Sequence, residues 1–346
     1  MKALVLEEQK KLSLRDFPLS ETCGPDDVKI AIKACGICGS DVHYFTNGRI
    51  GDFIVNAPMI LGHEASGIVL ETGANVRNLK TGDRVCMEPG IPDFKSRETL
   101  KGMYNLDPAV RFWATPPVHG CLRETVVHPA SLTFKLPDTV SYHEGALVEP
   151  LAVGMWAATK ARVSPGDIAL VSGGGTIGIV TALAAEASGC SKVFIADIKK
   201  GKLDFIKKNY GGKLETIDLN DTDINAFLAK KGIDGVNIVF EASGSAKAYE
   251  KICSFLVPGG KIVAIGMPEG TVPLDVVAMQ VKELSLETIF RYANIYPLVI
   301  GMIASGKLSV KALVTRQYSF ADSIAAFDYA ATLPEKDVKI MIDFGQ

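Results

Sequence analysis

The run Gly173-Gly174-Gly175-Thr176-Ile177-Gly178 constrains this chain more than any other stretch. It follows Asp167–Ser172, a mostly apolar run of the kind that makes a strand buried on both faces. It precedes Thr176–Ser188, whose Ala, Leu and Val content reads as a buried helix. Strand, glycine turn and helix in that order suit a dinucleotide. Gly173 makes the tight turn, Gly175 lets a pyrophosphate approach the backbone, and Gly178 lets the helix pack close. The phosphate then meets the free N–H groups and dipole of the helix start, with Thr176 and Ile177 in its first turn. Asp197 closes the next strand, Lys192–Ala196, 19 residues after Gly178. A carboxylate there accepts hydrogen bonds from the ribose hydroxyls of NAD and repels the 2′-phosphate of NADP. Lys199, Lys200 and Lys202 act in the opposite sense, since cations near this site neutralise such a phosphate; Lys202 is counted among the cofactor residues.

The 346 residues suggest about two domains. From Ser164 onward the pattern alternates strand and helix. Val236–Phe240 and Lys261–Ile265 are further apolar runs and Leu284–Phe290 a weaker one, which together predict an α/β domain with a parallel sheet. Residues 1–148 read differently. Val28–Ala34, Ala65–Glu71 and Arg84–Pro89 are short β-type runs broken by Gly, Pro and Asp, a pattern that suits a barrel with many loops. Acids and bases are interspersed and net charge is −2, so there is no basic stripe for nucleic acid or a membrane surface. No apolar run is long enough to span a bilayer, and the N-terminus lacks a secretory pattern. Seven cysteines, an odd number in a chain of this length, read as reduced thiols in a cytoplasmic protein.

Cys35-Gly36-Ile37-Cys38 is a C-x-x-C, open to a structural-zinc or a redox reading. No βαβ pattern surrounds it and the other cysteines are scattered, so at most one of the two thiols has a metal role. Gly62-His63-Glu64 supplies an imidazole and a carboxylate together. Glu149 is an acid among apolar neighbours and must be paired, protonated or metal-bound. A catalytic zinc keeps three protein ligands and an open position. Cys38, His63 and a carboxylate would fill that set.

With these residues in place, the chain resembles the zinc-containing medium-chain dehydrogenases, and most closely their sorbitol/xylitol dehydrogenase branch. The resemblance runs over nearly the whole length. It rests on Gly36 to Tyr44 (GICGSDVHY), Pro58 to Gly67 (PMILGHEASG), Gly82-Asp83-Arg84-Val85, Tyr104-Asn105-Leu106, Ala114 to Pro117 (ATPP), Glu144 to Pro150 (EGALVEP) and Phe290-Arg291-Tyr292. It implies a GroES-like catalytic domain over residues 1–150 and 290–346, around a Rossmann-type NAD domain at 151–289. It assigns zinc to Cys38, His63 and Glu64, with Glu149 as a further ligand or the holder of a bound water. Many relatives of the wider superfamily hold a structural zinc with four cysteines in the following lobe. Here Glu88 to Thr115 contains no cysteine, so one zinc per chain is expected.

The implied reaction is NAD-linked oxidation of a secondary hydroxyl of a polyol, with Ser40 and His43 passing the proton outward. Tyr44, Phe112, Thr115, Glu149, Arg291 and Tyr292 would line the substrate site. Ile265, Gly266, Met267, Ile289, Phe290 and Arg291 would meet the nicotinamide. A homo-oligomer, a tetramer or a dimer, is the assembly the family suggests. A zinc-free reductase on the same scaffold, a non-catalytic dinucleotide-binding protein, and a threonine or butanediol dehydrogenase are the competing readings.

Overall fold

The computed structural model describes residues 1–345. The chain divides into two compact units, Met1–Glu149 with Tyr296–Gln346, and Pro150–Ile295; Gln346 itself lies outside the described residues. The boundaries fall after Glu149 and Ile295, where the sequence placed them after residues 150 and 289.

The first unit is built on the strand Asp27–Gly36. Its residues alternate between buried and half-buried up to Ala34, as one covered face requires, and Cys35 and Gly36 are then buried in succession. Glu64–Thr72 and Thr125–Pro129 pair with it antiparallel. Arg84–Met87 and Thr133–Lys135 continue the sheet on one side, Lys339–Asp343 and Val314–Ser319 on the other. Leu4, Leu6, Ile30, Ile60, Leu61 and Leu122, all fully buried, anchor its core. The strand Lys339–Asp343 belongs to the C-terminal segment. It lies antiparallel to the central strand, Met341 opposite Gly36 and Ile342 opposite Cys35. Ile37 N donates to Ile340 O at 2.9 Å, which carries Lys339 alongside the Cys38 loop.

The second unit holds six parallel strands in the order Glu215–Asp218, Lys192–Asp197, Ile168–Ser172, Val236–Glu241, Leu256–Ala264, Ser285–Thr288. By chain position that order is 3-2-1-4-5-6, the doubly wound arrangement whose direction reverses between the first and fourth strands. Ile168–Ser172 lies in the interior of the sheet, which explains its apolar composition. The helix Thr176–Ala187 buries nearly all of Gly178 to Ala185. A Cβ on Gly154, in the helix Val148–Ala161, would come 2.7 Å from the Val180 carbonyl carbon, so these two helices touch backbone to backbone.

In this sheet one strand escaped the sequence reading and another was read short. Glu215–Asp218 has only four residues, with two acids at its ends. Leu256–Ala264 extends well before the predicted Lys261, but its early part contains Pro258-Gly259-Gly260, which mimics a turn. Among the described residues, no helix is long and apolar enough to cross a membrane.

Candidate active site

Cys38 ends the loop after the central strand and stands as N-cap of the helix Gly39–Asn47. Asp41 organises this corner. It is fully buried, and its Oδ2 accepts from Cys38 N at 3.2 Å while Oδ1 accepts from Gly62 N at 2.9 Å. One carboxylate thus ties the cysteine loop to the histidine loop. Gly62 has φ +88°, and a Cβ there would meet Leu122 Cγ at 2.6 Å and Cys35 Sγ at 3.0 Å; glycine is what lets the chain enter the corner. His63 follows at 5% exposure and Glu64 at 1%.

Ligand atoms of Cys38, His63 and Glu64 all lie within 4.8 Å of one another. His63 Nδ1 is buried without a hydrogen-bond partner, 3.6 Å from Asp41 Oδ2. Burial opposes a charge on this ring, but Asp41 and the Cys38 sulfur outweigh it and hold its pKa well above the usual histidine value. A cysteine sulfur, an imidazole and a carboxylate with donor atoms that close together are a donor set that fits Zn²⁺. Among the described residues it is the one His/Cys/Asp/Glu cluster with that proximity.

Six surrounding residues complete the picture. Phe112 packs its ring 5.6 Å from that of His63, and Thr115 N donates to Phe112 O at 3.1 Å. Glu149 is 7% exposed and acts electrostatically on both Glu88 and Lys339. Ser40 and His43 sit three residues apart on one face of the helix Gly39–Asn47, both half-buried, with the Asn47 amide 3.2 Å from His43 Nε2. Tyr44, one residue further, is buried.

Lys339, Asp41 and Glu88 were not singled out from the sequence. Lys339 is 3% exposed, and its Nζ lies 2.8 Å from each oxygen of Glu64. A lysine among the apolar residues of Lys339–Asp343 was the only available signal. Glu88 is 2% exposed and accepts from the Tyr104 hydroxyl at 2.7 Å. Burial raises its carboxyl to about 7, the tyrosine hydrogen bond opposes the rise, and Glu149 adds to it.

The glycine turn lies in the second unit. Gly173 has φ +102°, and a Cβ on it would meet Ser243 Cα at 2.9 Å; one on Gly178 would come 1.8 Å from Gly173 O. The spot above Gly175 is open except for Lys202 Nζ, 3.5 Å from where a Cβ would be. A cradle that small residues keep empty, at the start of a twelve-residue helix, fits a pyrophosphate. Thr176 and Ile177 form the helix's first turn. Asp197 holds the turn in shape, accepting from Gly174 N at 2.5 Å and Lys199 N at 2.7 Å. A cavity of about 660 Å³ opens beside it, lined by Gly173, Asp197, Ile198, Thr222 and Ser243.

Glu241 also went unnoticed in the sequence. Fully buried, it accepts from the Ser243 and Gly244 amides, and its own carbonyl accepts from Ile265 N and Gly266 N, both at 2.9 Å. It therefore organises the loops at the point where strand order reverses. Met267 is 74% exposed beyond them, and Ile289 N donates to Ala264 O at 3.2 Å. Arg291, with φ +55°, lies over the Phe290 ring at 4.8 Å, and Tyr292 is buried; all three belong to the second unit.

Two family models match the chain: an alcohol dehydrogenase GroES-like domain over residues 24–138 and a zinc-binding dehydrogenase domain over residues 176–305. A D-xylulose reductase of Morganella morganii is 53% identical, with 96% of this chain and 98% of the relative covered. A sorbitol dehydrogenase of Arabidopsis thaliana is 39% identical over 90% of this chain and 86% of the relative. Among solved structures, an Escherichia coli oxidoreductase/dehydrogenase of unknown specificity superposes with a TM-score of 0.93 at 34% identity, covering 100% of this chain and 99% of its own.

Proposed function

We propose, from the premise that this chain belongs to the zinc-containing medium-chain dehydrogenases and to their polyol branch, that it oxidises a secondary hydroxyl of a sugar alcohol to the ketose with NAD. Xylitol to xylulose and sorbitol to fructose are the two conversions its relatives' names favour. The observation that carries the reading is the cluster of half-buried Cys38 with buried His63 and Glu64, their ligand atoms within 4.8 Å of one another. A zinc-free reductase would have no use for it.

In this reading Cys38, His63 and Glu64 hold one zinc, with Glu149 as the further carboxylate. Zinc, when bound, supplies Lewis acidity, which lowers the pKa of a bound water from about 15.7 to about 7 and acidifies an alcohol likewise. Asp41 orients His63 and keeps the two ligand loops together. Ser40 accepts the hydroxyl proton and His43 carries it toward solvent. NAD, where bound, would supply the acceptor for the hydride of the carbinol carbon. Tyr44, Phe112, Thr115, Arg291 and Tyr292 are the proposed substrate contacts. Polar groups that must pair with hydroxyls reject substrates lacking them, which favours a polyol over a simple alcohol.

Gly173, Gly175, Thr176, Ile177 and Gly178 take the pyrophosphate, Asp197 the ribose, and Lys202 a phosphate oxygen. Ile265, Gly266, Met267, Ile289, Phe290 and Arg291 are assigned to the nicotinamide. The placement of Asp197 beside the turn favours NAD, and the absence of cysteine between Glu88 and Thr115 favours one zinc per chain. A cytoplasmic homotetramer or dimer is the accompanying proposal. Its support is the free edge strand Ser285–Thr288 with half-exposed Leu286, and seven cysteines all in the thiol form.

Steady-state rates for a panel of polyols with NAD and with NADP, together with metal analysis of the purified protein, test the reading. Turnover of xylitol or sorbitol with NAD and about one zinc per chain are expected. Full activity after complete demetallation would refute it.

A further inference from the structure

Lys339 is a buried cation that the proposed reaction leaves without a task. It opens the strand Lys339–Asp343 and reaches a carboxylate 275 positions away in sequence. An ammonium has three donors, and the structure uses all three: two on the oxygens of Glu64 at 2.8 Å each and one on Ile37 O at 3.1 Å. Burial opposes the charge on Lys339, yet Glu64, Cys38 and Glu149 outweigh it and raise its pKa. A Cβ on Gly36 would lie only 2.1 Å from Glu64 Oε2. The glycine of the cysteine loop thus makes room for this carboxylate.

Glu64 therefore lies between the lysine and the Cys38–His63 pair that would hold the metal. A zinc–oxygen bond needs about 2.0–2.2 Å. A carboxylate that closed both oxygens on the metal would have to give up its paired contact with Lys339. The metal would then sit close to a buried ammonium.

We propose that Lys339 is a positioning residue that retains one oxygen of Glu64, so that Glu64 ligates with a single oxygen and a coordination position stays open for the substrate hydroxyl. This rests on the zinc reading above and extends it to how the open position is kept. Without the lysine both oxygens close on the metal, and the metal leaves an anionic pocket more slowly.

The test uses Co²⁺-substituted protein, whose visible absorption weakens as coordination rises from four to five, and zinc release to a chelator. Lys339→Met is expected to weaken the cobalt absorption and to slow zinc release about tenfold. Lys339→Arg, which keeps charge and a two-donor grip, is expected to match the wild type. In a Glu64→Gln background the Lys339→Met substitution is expected to leave the cobalt spectrum unchanged. If Lys339→Met does not accumulate as folded protein, Lys339→Gln provides the same comparison. A spectrum and release rate equal to wild type in the Met or Gln variant would overturn the proposal. So would a spectral change that persists with Glu64→Gln, since that change would not pass through Glu64. A wild-type protein that takes up neither metal would instead overturn the zinc reading itself.

Discussion

Glu88 shows how one buried carboxyl writes itself into the pH dependence of the fold. Its ordinary pKa is 4.5 and burial lifts it to about 7. The folded state therefore holds this proton over a range in which the unfolded chain has lost it. The stabilisation is complete below pH 4.5 and is lost as pH rises through about 7, an effect of at most about 3 kcal/mol. Glu88→Gln, neutral at every pH, should flatten that slope in denaturant titrations run from pH 4.5 to 8; an unchanged slope would assign it to other groups. Asp197 makes a second prediction at this scale. Its oxygens hold the Gly174 and Lys199 amides. Asp197→Ala should lose preference for NAD, read as the ratio of kcat/KM for NAD to that for NADP. With Lys202 Nζ next to Gly175, the variant keeps a cation able to accept the extra phosphate. An unchanged ratio would remove Asp197 from cofactor choice.

Among the elements, the helix Thr176–Ala187 depends on the smallest detail. Its start can approach the strand only because position 178 lacks a side chain, a Cβ there lying 1.8 Å from Gly173 O. Gly178→Ala must push the turn open. Overpacking of this kind costs about 1–3 kcal/mol in stability. Loss of a charge-assisted hydrogen bond to the phosphate, about 1.5–3 kcal/mol, should weaken NAD binding about ten- to a hundredfold. Calorimetric titration with NAD measures the second effect independently of turnover, and wild-type affinity in a folded variant would contradict the geometry. The helix Gly39–Asn47 is set by different means: Asp41, in its first turn, holds its N-cap amide and reaches across to Gly62.

For the whole molecule, the metal ligands and the glycine turn belong to separate compact units. Each unit has its own core, so loss of zinc should abolish polyol oxidation while NAD binding survives. NADH at a hundred times its Kd stabilises a protein by about 2.7 kcal/mol. The demetallated chain should show the same NADH-dependent rise in melting temperature as the zinc-loaded one. If chelation removed that rise, the cofactor site would depend on the metal.

Local sequence was enough for the features that repeat along the chain or sit within one loop. Strand Ile168–Ser172, its glycine turn and the following helix were legible because period, apolar content and glycine placement are local properties. Cys38, His63 and Glu64 were legible as residue types with metal chemistry, and the family resemblance joined them. Lys339 and Asp41 were not. Each looks ordinary beside its neighbours, one a charge at a strand start and the other an acid in a helix's first turn. Glu241 and Glu88 were hidden in the same way, as acids ending or following short β-runs. What places Lys339 and Glu241 is strand pairing over long separations, Lys339–Asp343 laid against Asp27–Gly36 and Val236–Glu241 set beside Ile168–Ser172, while Asp41 and Glu88 are met by the Gly62 amide and the Tyr104 hydroxyl from other stretches of the chain. A sequence specifies which groups carry charge and where the backbone can bend. Only the packed sheet decides which charges lose their water, and a charge without water must find a partner.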